Sequence, residues 1–261
     1  LVLLVHFHYL SWLFFRAFSV TNFLGLKAIY TYHMTVDHLT QPFLMKPFRS
    51  LIAKLIVRYC NQFQRILAPS QQLTENIIDS GINTPTFFVN NPVVYELEEV
   101  KSKIPRDEFK FVVLYAGRLN PEKNIPYLLK SFERLHCHHS SSKLWIAGDG
   151  SMRKTLEKQV ASLGLIDAVE FLGHVPHEDL AGYYQATDIF VLPSLIETQG
   201  MVAMEAMRFG KPVIVTSSIV SANELVTHGE NGFIVDPNSI EDLTDKMNQL
   251  ANDVVLRENM G

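Results

Sequence analysis

From Phe111 onward the chain alternates short, uninterrupted apolar runs with longer stretches in which apolar positions recur every three or four residues. The runs are Phe111–Ala116, Lys143–Ala147, Val169–Leu172, Asp188–Leu192, Pro212–Thr216 and Gly232–Val235. Between them lie Ile125–Leu135, Met152–Leu163, Asp179–Gln185, Met201–Phe209 and Ile240–Ala251, with the spacing of amphipathic helices. Strands apolar on both faces and alternating with helices predict a parallel sheet covered on both sides. A doubly wound, Rossmann-like domain of this kind takes ligands beyond the carboxyl ends of its strands.

The first hundred residues show the same alternation less completely. Strands are expected at Leu1–Phe7, Lys27–Tyr32, Arg65–Ala68 and Thr86–Val89, and helices at about Pro47–Phe63 and Gln71–Asp79. The polar stretch Glu96 to Lys110, with Pro105 inside it, reads as a linker between two α/β halves. Domains are therefore expected over residues 1–107 and 108–261.

The chain opens on LVLLVHFHYLSWLFFRAF rather than on Met. A signal peptide or membrane span is one reading. His6, His8 and Arg16 interrupt the run, and neither a basic leader nor a small-residue cleavage site is present. A buried strand, Leu1 to Val5, running into a short amphipathic helix fits better, and the sequence reads as a fragment whose first domain is incomplete. The terminal helix also reads as cut short at Gly261.

Composition narrows the function classes. Hydrophobic residues make up 47% and charged residues 19%, as in an ordinary globular chain. A net charge of −4 argues against a broad nucleic-acid footprint. The two cysteines, Cys60 and Cys137, are far apart and imply neither a disulfide framework nor a metal site, which favours a reduced, cytoplasmic compartment. His136, Cys137, His138 and His139 read as a solvated helix end, with no second ligand cluster at a recognised spacing.

Three strand-to-helix junctions carry candidate chemistry. Gly117-Arg118-Leu119-Asn120-Pro121-Glu122-Lys123-Asn124 places two cations where a diphosphate would meet them and nearby backbone amides; a charged, solvated loop is the bland alternative. Ala147-Gly148-Asp149-Gly150-Ser151 either admits a phosphate or base, or is an ordinary tight turn. The third junction runs from Pro193 to Glu205. A helix starting near Gly200 turns its free N–H groups toward the crevice. Glu205, inside the apolar helix MVAMEAM, should be largely buried and hydrogen-bonded. Its partner is either the vicinal hydroxyls of a ribose, or Arg208 or Lys211 in a structural ion pair.

In this order the motifs G-R-x-x-x-E-K-N, A-G-D-G, F-L-G-H-V and P-S-x-x-E-T-Q-G, with a second Glu eight positions after the first, resemble glycosyltransferase family 4. Members have the GT-B architecture of two Rossmann-like domains facing across a cleft. The variant E-T-Q-G and Tyr30-Thr31-Tyr32-His33 are similar to the bacterial diacylglycerol glucosyltransferases. The resemblance implies that Arg118 and Lys123 neutralise the donor diphosphate, while Gly148 lies at the substrate. Val175 would hold the nucleobase through its backbone. Glu197 would contact the transferred sugar, the amides of Gln199, Gly200, Met201 and Val202 would hold phosphate and sugar, and Thr198 would lie at the substrate. Glu205 would take the ribose, and His33 would reach toward sugar and β-phosphate.

The same resemblance implies a retaining hexosyltransferase with a nucleotide-diphosphate sugar donor, a lipid or glycan acceptor and no cofactor. Cations and helix amides would stabilise the departing diphosphate. No Asp-x-Asp pair occurs in the sequence, so the metal-dependent class lacks its usual ligand. A non-catalytic nucleotide-sugar-binding homologue is the competing reading, and a phosphorylase is a third. The sequence departs from the family's pattern in lacking the Gly-rich first loop, in Ile219–Leu225 before the usual P-E-L glutamate, and in Asn90-Asn91-Pro92-Val93. Finally, Lys46, Arg49, Lys54 and Arg58 interleave with apolar residues between Pro42 and Arg58. That pattern fits either a helix lying peripherally on the inner face of a membrane or one packed on the domain core.

Overall fold

The computed structural model describes residues 4–8, 12–33, 35–36, 47–93, 104, 106 and 109–261. Lys46 and most of the expected linker fall outside the described residues. The chain divides into two compact units, Leu1–Pro92 and Val93–Gly261.

The first unit holds a parallel sheet in the order β1-β2-β3-β4, with β1 Leu4–Phe7, β2 Lys27–Thr31, β3 Arg65–Ala68 and β4 Thr86–Phe88. Helices Trp12–Phe23, Arg49–Cys60 and Gln71–Asp79 belong to it. Its centre is aromatic: the rings of Phe7, Phe14, Phe18, Tyr30 and Phe63 are buried against one another. Of the buried strand expected over Leu1 to Val5, the first three residues lie outside the described residues, and Leu4 and Val5 in β1 are not buried. β1 is an edge strand of the described sheet, and only Phe7 of its four residues is buried. The helix Gln71–Asp79 starts where predicted because the Ser70 hydroxyl accepts the Leu73 N–H at 3.1 Å, a cap that contributes about 1 kcal/mol.

The second unit is built on six parallel strands: β5 Phe111–Ala116, β6 Ser142–Ala147, β7 Val169–Gly173, β8 Ile189–Leu192, β9 Val213–Thr216 and β10 Gly232–Val235. Every residue of β5, β8 and β9 is buried, which is why these segments read as unbroken apolar runs. Asp188 ends outside β8 and anchors it instead: its carboxylate accepts the Val112 N–H at 2.7 Å and the Arg106 guanidinium at 2.8 Å. The helices Ile125–His138, Arg153–Ser162, His177–Ala186, Met201–Arg208 and Ile240–Asn252 follow the predicted periodic stretches. The terminal helix expected to end at Gly261 is Val254–Met260, and one more, Ala222–Leu225, is too short for its period to stand out in the sequence.

The strand order is β10-β9-β8-β5-β6-β7. The chain runs outward from β5 through β6 to β7, then returns to lay β8 on the other side of β5. The direction of winding therefore reverses between β5 and β8. In an open parallel sheet, a ligand crevice lies outside the carboxyl ends of the strands at such a reversal.

Candidate functional site

Both loops that flank the reversal carry residues singled out by the sequence. The loop after β5 rests on Tyr115, which is fully buried and donates its hydroxyl to the Arg118 carbonyl at 3.0 Å. Burial raises the Tyr115 phenol pKa well above its ordinary value, and the charges of Glu197 and Glu122 add to the effect, so it stays a neutral donor. The Arg118 side chain is exposed on this turn. A single 3-10 turn, Pro121–Lys123, follows and is stopped by Asn124 at φ 53, a left-handed conformation that asparagine tolerates. The turn directs Lys123 at the neighbouring loop: its ammonium lies 2.5 Å from Glu197 Oε2. The Leu195 N–H donates to the Glu122 carbonyl at 2.8 Å and ties the two loops together.

The loop after β8, Pro193 to Gly200, is held along its backbone by the end of β9 and the segment after it. The Thr216 hydroxyl donates to the Ser194 carbonyl. The Val220 N–H donates to the Glu197 carbonyl at 3.0 Å, and the Ser221 hydroxyl to that of Gln199 at 3.0 Å. Glu197 Oε1 accepts the Thr198 N–H at 3.2 Å while Oε2 meets Lys123, so the carboxylate is oriented from two sides. Thr198 and Gln199 are buried. Gly200 caps the helix Met201–Arg208 at φ 74, and a Cβ there would lie 3.0 Å from Leu192 Cδ2. Both facts favour glycine at this position. The N–H groups of Met201 and Val202 head the helix, where the peptide ladder has no carbonyl to offer them and the dipole favours an anion.

Glu205 sits in the second turn of that helix and is 9% exposed. Its carboxylate is held by groups that sequence reasoning did not name. The Tyr184 hydroxyl donates to Oε2 at 2.9 Å, and His177 Nε2 lies 3.6 Å from Oε1. Lys211, one of the structural partners considered, donates to the Gln185 carbonyl at 3.0 Å. A signal for Tyr184 did exist: a tyrosine on the apolar face of a helix needs a partner for its hydroxyl. Which partner, 21 residues away, lay beyond reach of the pattern.

Gly148 and Val175 follow β6 and β7. The Gly148 N–H donates to the Gly173 carbonyl at 2.6 Å, and a Cβ at Gly148 would stand 1.9 Å from the Gly117 carbonyl oxygen. The turn after β6 is thus packed backbone to backbone on the turn after β5, a reason for glycine that is independent of any ligand. Val175 is half-buried, one residue before the cap of the helix His177–Ala186.

His33 belongs to the first unit, two residues beyond β2. Its ring stacks on His8 with centroids 5.6 Å apart, and its Nε2 lies 3.3 Å from His8 Nδ1. Burial, followed by the charges of His8 and His6, lowers its pKa below the ordinary imidazole value. His6 in turn meets the Thr31 hydroxyl at 2.7 Å. Among the described residues, no helix is long and apolar enough to cross a membrane, and no group of three or more His, Cys, Asp or Glu is arranged to hold a metal ion.

Residues 97–261 match the family described as Glycosyl transferases group 1, and residues 2–97 match Glycosyltransferase Family 4. An uncharacterised glycosyltransferase of Methanocaldococcus jannaschii is 35% identical over 70% of this chain and 46% of its own length. The alpha-monoglucosyldiacylglycerol synthase of Acholeplasma laidlawii is 26% identical over 82% of this chain and 58% of its own. The chain thus spans about half the length of the curated relatives it matches. Among solved structures, Anabaena HepE in complex with UDP-glucose aligns with a TM-score of 0.79 at 24% identity, covering 98% of this chain and 72% of HepE. The sucrose-phosphate synthase of Thermosynechococcus elongatus aligns with a TM-score of 0.83 at 23% identity, covering 99% of this chain and 66% of the synthase. These two likenesses are of fold, and the fold is GT-B, with two parallel-sheet α/β units in one chain. On the match across residues 97–261, the chain belongs to the Glycosyl transferases group 1 family.

Proposed function

We propose that the chain belongs to a retaining, metal-independent hexosyltransferase that moves a hexose from a nucleotide-diphosphate sugar to a lipid or glycan acceptor. The observation that carries this reading is the contact between Lys123 and Glu197, made by the two loops that flank the reversal of the sheet. One loop offers a cation for the diphosphate and the other a carboxylate for sugar hydroxyls, and the two groups touch at 2.5 Å.

The roles follow from where charge develops. Cleavage of the anomeric C–O bond leaves positive charge on the sugar ring and a diphosphate whose negative charge grows. An ammonium has three N–H donors, so Lys123 has donors for phosphate oxygens besides the one that meets Glu197. Arg118 supplies a second, exposed cation, and the N–H groups of Met201 and Val202 a third set of donors. Fixed donors of this kind offset the leaving-group charge without a metal. Glu197, oriented by Lys123 and the Thr198 N–H, accepts from sugar hydroxyls, and Glu205 accepts from the ribose. The turns at Gly148 and Val175 and the backbone of Gln199 and Gly200 complete the donor side. His33, on the acceptor-side domain, serves the transferred sugar. Retention is accounted for by front-face attack, the departing phosphate taking the acceptor's proton.

UDP and UDP-glucose are the ligands named for HepE, and diacylglycerol-linked glucose is the product class named for the Acholeplasma relative. They support a nucleotide-sugar donor and a lipid acceptor here. A cytoplasmic location with peripheral contact at the inner membrane face is supported by the helix Arg49–Cys60, which exposes Leu51 and Leu55 beside Arg49, Lys54 and Arg58.

The test is a transfer assay with the full-length protein, α-linked UDP- and GDP-hexoses and a membrane-lipid extract in excess EDTA, with product configuration read by NMR. An α-linked product formed in EDTA is expected. A β-linked product, or a strict need for a divalent cation, would contradict the mechanism, and donor binding without turnover would leave a non-catalytic binder.

A further inference from the structure

The carboxylate assigned to the ribose is not held by its own helix. Tyr184, on the helix His177–Ala186, is completely buried, and its ring stacks on Phe209 at 5.6 Å and tilts against Phe190 at 5.8 Å. A ring packed in this way fixes its hydroxyl in space. That hydroxyl has one proton, and its acceptors include Glu205 Oε2 at 2.9 Å and the Val202 carbonyl at 3.2 Å. The shorter contact, to the charged group, is the stronger one. The second keeps the phenol against the first turn of the helix that bears Glu205.

We propose that Tyr184 is a positioning residue that orients Glu205 toward the nucleotide and so sets the preference for ribose over 2′-deoxyribose. The proposal rests on the ribose role of Glu205. With Oε2 tied to the phenol, the carboxylate plane is set, and Oε1 points to the side where His177 stands, its side chain 60% exposed. A carboxylate free to rotate would lose entropy on being oriented each time a nucleotide binds, whereas one held by a buried phenol does not. The effect is confined to the hydroxyl pair of the sugar, since the diphosphate is met by other groups.

The experiment is calorimetric titration of the full chain with UDP and GDP, each against its 2′-deoxy analogue. Four proteins are compared: the unsubstituted chain, Glu205→Gln, Tyr184→Phe and the double variant. The unsubstituted chain should prefer the ribonucleotide by about tenfold, Glu205→Gln should abolish the preference, and Tyr184→Phe should cut it to about twofold. Affinity for the 2′-deoxy analogue, which keeps only the 3′-hydroxyl for Glu205, should fall less in Tyr184→Phe than affinity for the ribonucleotide, and the double variant should bind no more weakly than Glu205→Gln. Equal loss for both nucleotides in Tyr184→Phe would mean a merely structural tyrosine and overturn the proposal, as would an unaltered preference. Phe209→Leu keeps the hydroxyl but removes one of the rings that fix it, so the preference should fall by less than in Tyr184→Phe; a fall as large would assign the effect to ring packing rather than the phenol and overturn the proposal. If Glu205→Gln itself keeps the preference, the ribose role fails, an outcome distinct from failure of the tyrosine alone.

Discussion

His33 and Lys123 show how burial and neighbouring charge set what a single side chain can do. Lys123 and Glu197 are only partly exposed, so replacing either one leaves the other desolvated without its counter-charge, which costs more than the pair contributes when intact. His33 is governed first by burial and then by like charges. Its folded-state pKa lies below the ordinary value of 6.5, first through burial and then through His8 and His6. The unfolded chain therefore takes up a proton in a pH range where the folded chain does not. Stability then rises with pH through this window and is fully present above it, where the ring is neutral in both states. Lowering the pH from 7 to about 5.5 should lower Tm, and His33→Asn should make that decline shallower. Parallel profiles for the two proteins would show that His33 titrates no differently folded than unfolded.

At the scale of elements, the strands were legible because a central parallel strand has no polar face: Phe111–Ala116 falls where its apolar run predicts, and Ile189–Leu192 and Val213–Thr216 fall within one residue of theirs. The order and spacing of the loop motifs were legible too. Side-chain pairing was not, because Lys123 and Glu197 lie 74 residues apart and meet only through strand order, which alternation does not encode. Helix faces were half legible. The interleaved basic and apolar residues of Arg49–Cys60 left two readings, and the structure shows the one in which part of the helix is buried. Ile56 and Cys60 are buried, whereas Phe48, Leu51 and Leu55 are exposed among Arg49, Lys54 and Arg58. A helix with one face in the core and a second, basic and apolar face in solvent is suited to an anionic bilayer surface. Full-length protein should co-sediment with vesicles containing anionic lipid, and replacing Arg49, Lys54 and Arg58 by Glu should reduce the bound fraction several-fold. Undiminished binding would remove this helix from the contact.

For the whole molecule, winding order places the chemistry. The second unit turns back between β5 and β8, so two loops distant in sequence become neighbours, one bearing cations and the other carboxylates. Because the fold is shared by enzymes of many substrates, the functional assignment stands on these loops rather than on the architecture. The most direct test is calorimetric titration of the full-length protein, in EDTA, with UDP- and GDP-hexoses and with the free diphosphates, for the unsubstituted chain, Lys123→Met and Glu197→Gln. At least one hexose donor should bind without metal. Lys123→Met should weaken both that donor and its free diphosphate by about tenfold, while Glu197→Gln should weaken the donor alone. Failure of every donor to bind, or donor affinity untouched by both substitutions, would contradict the assignment of these loops to a nucleotide sugar.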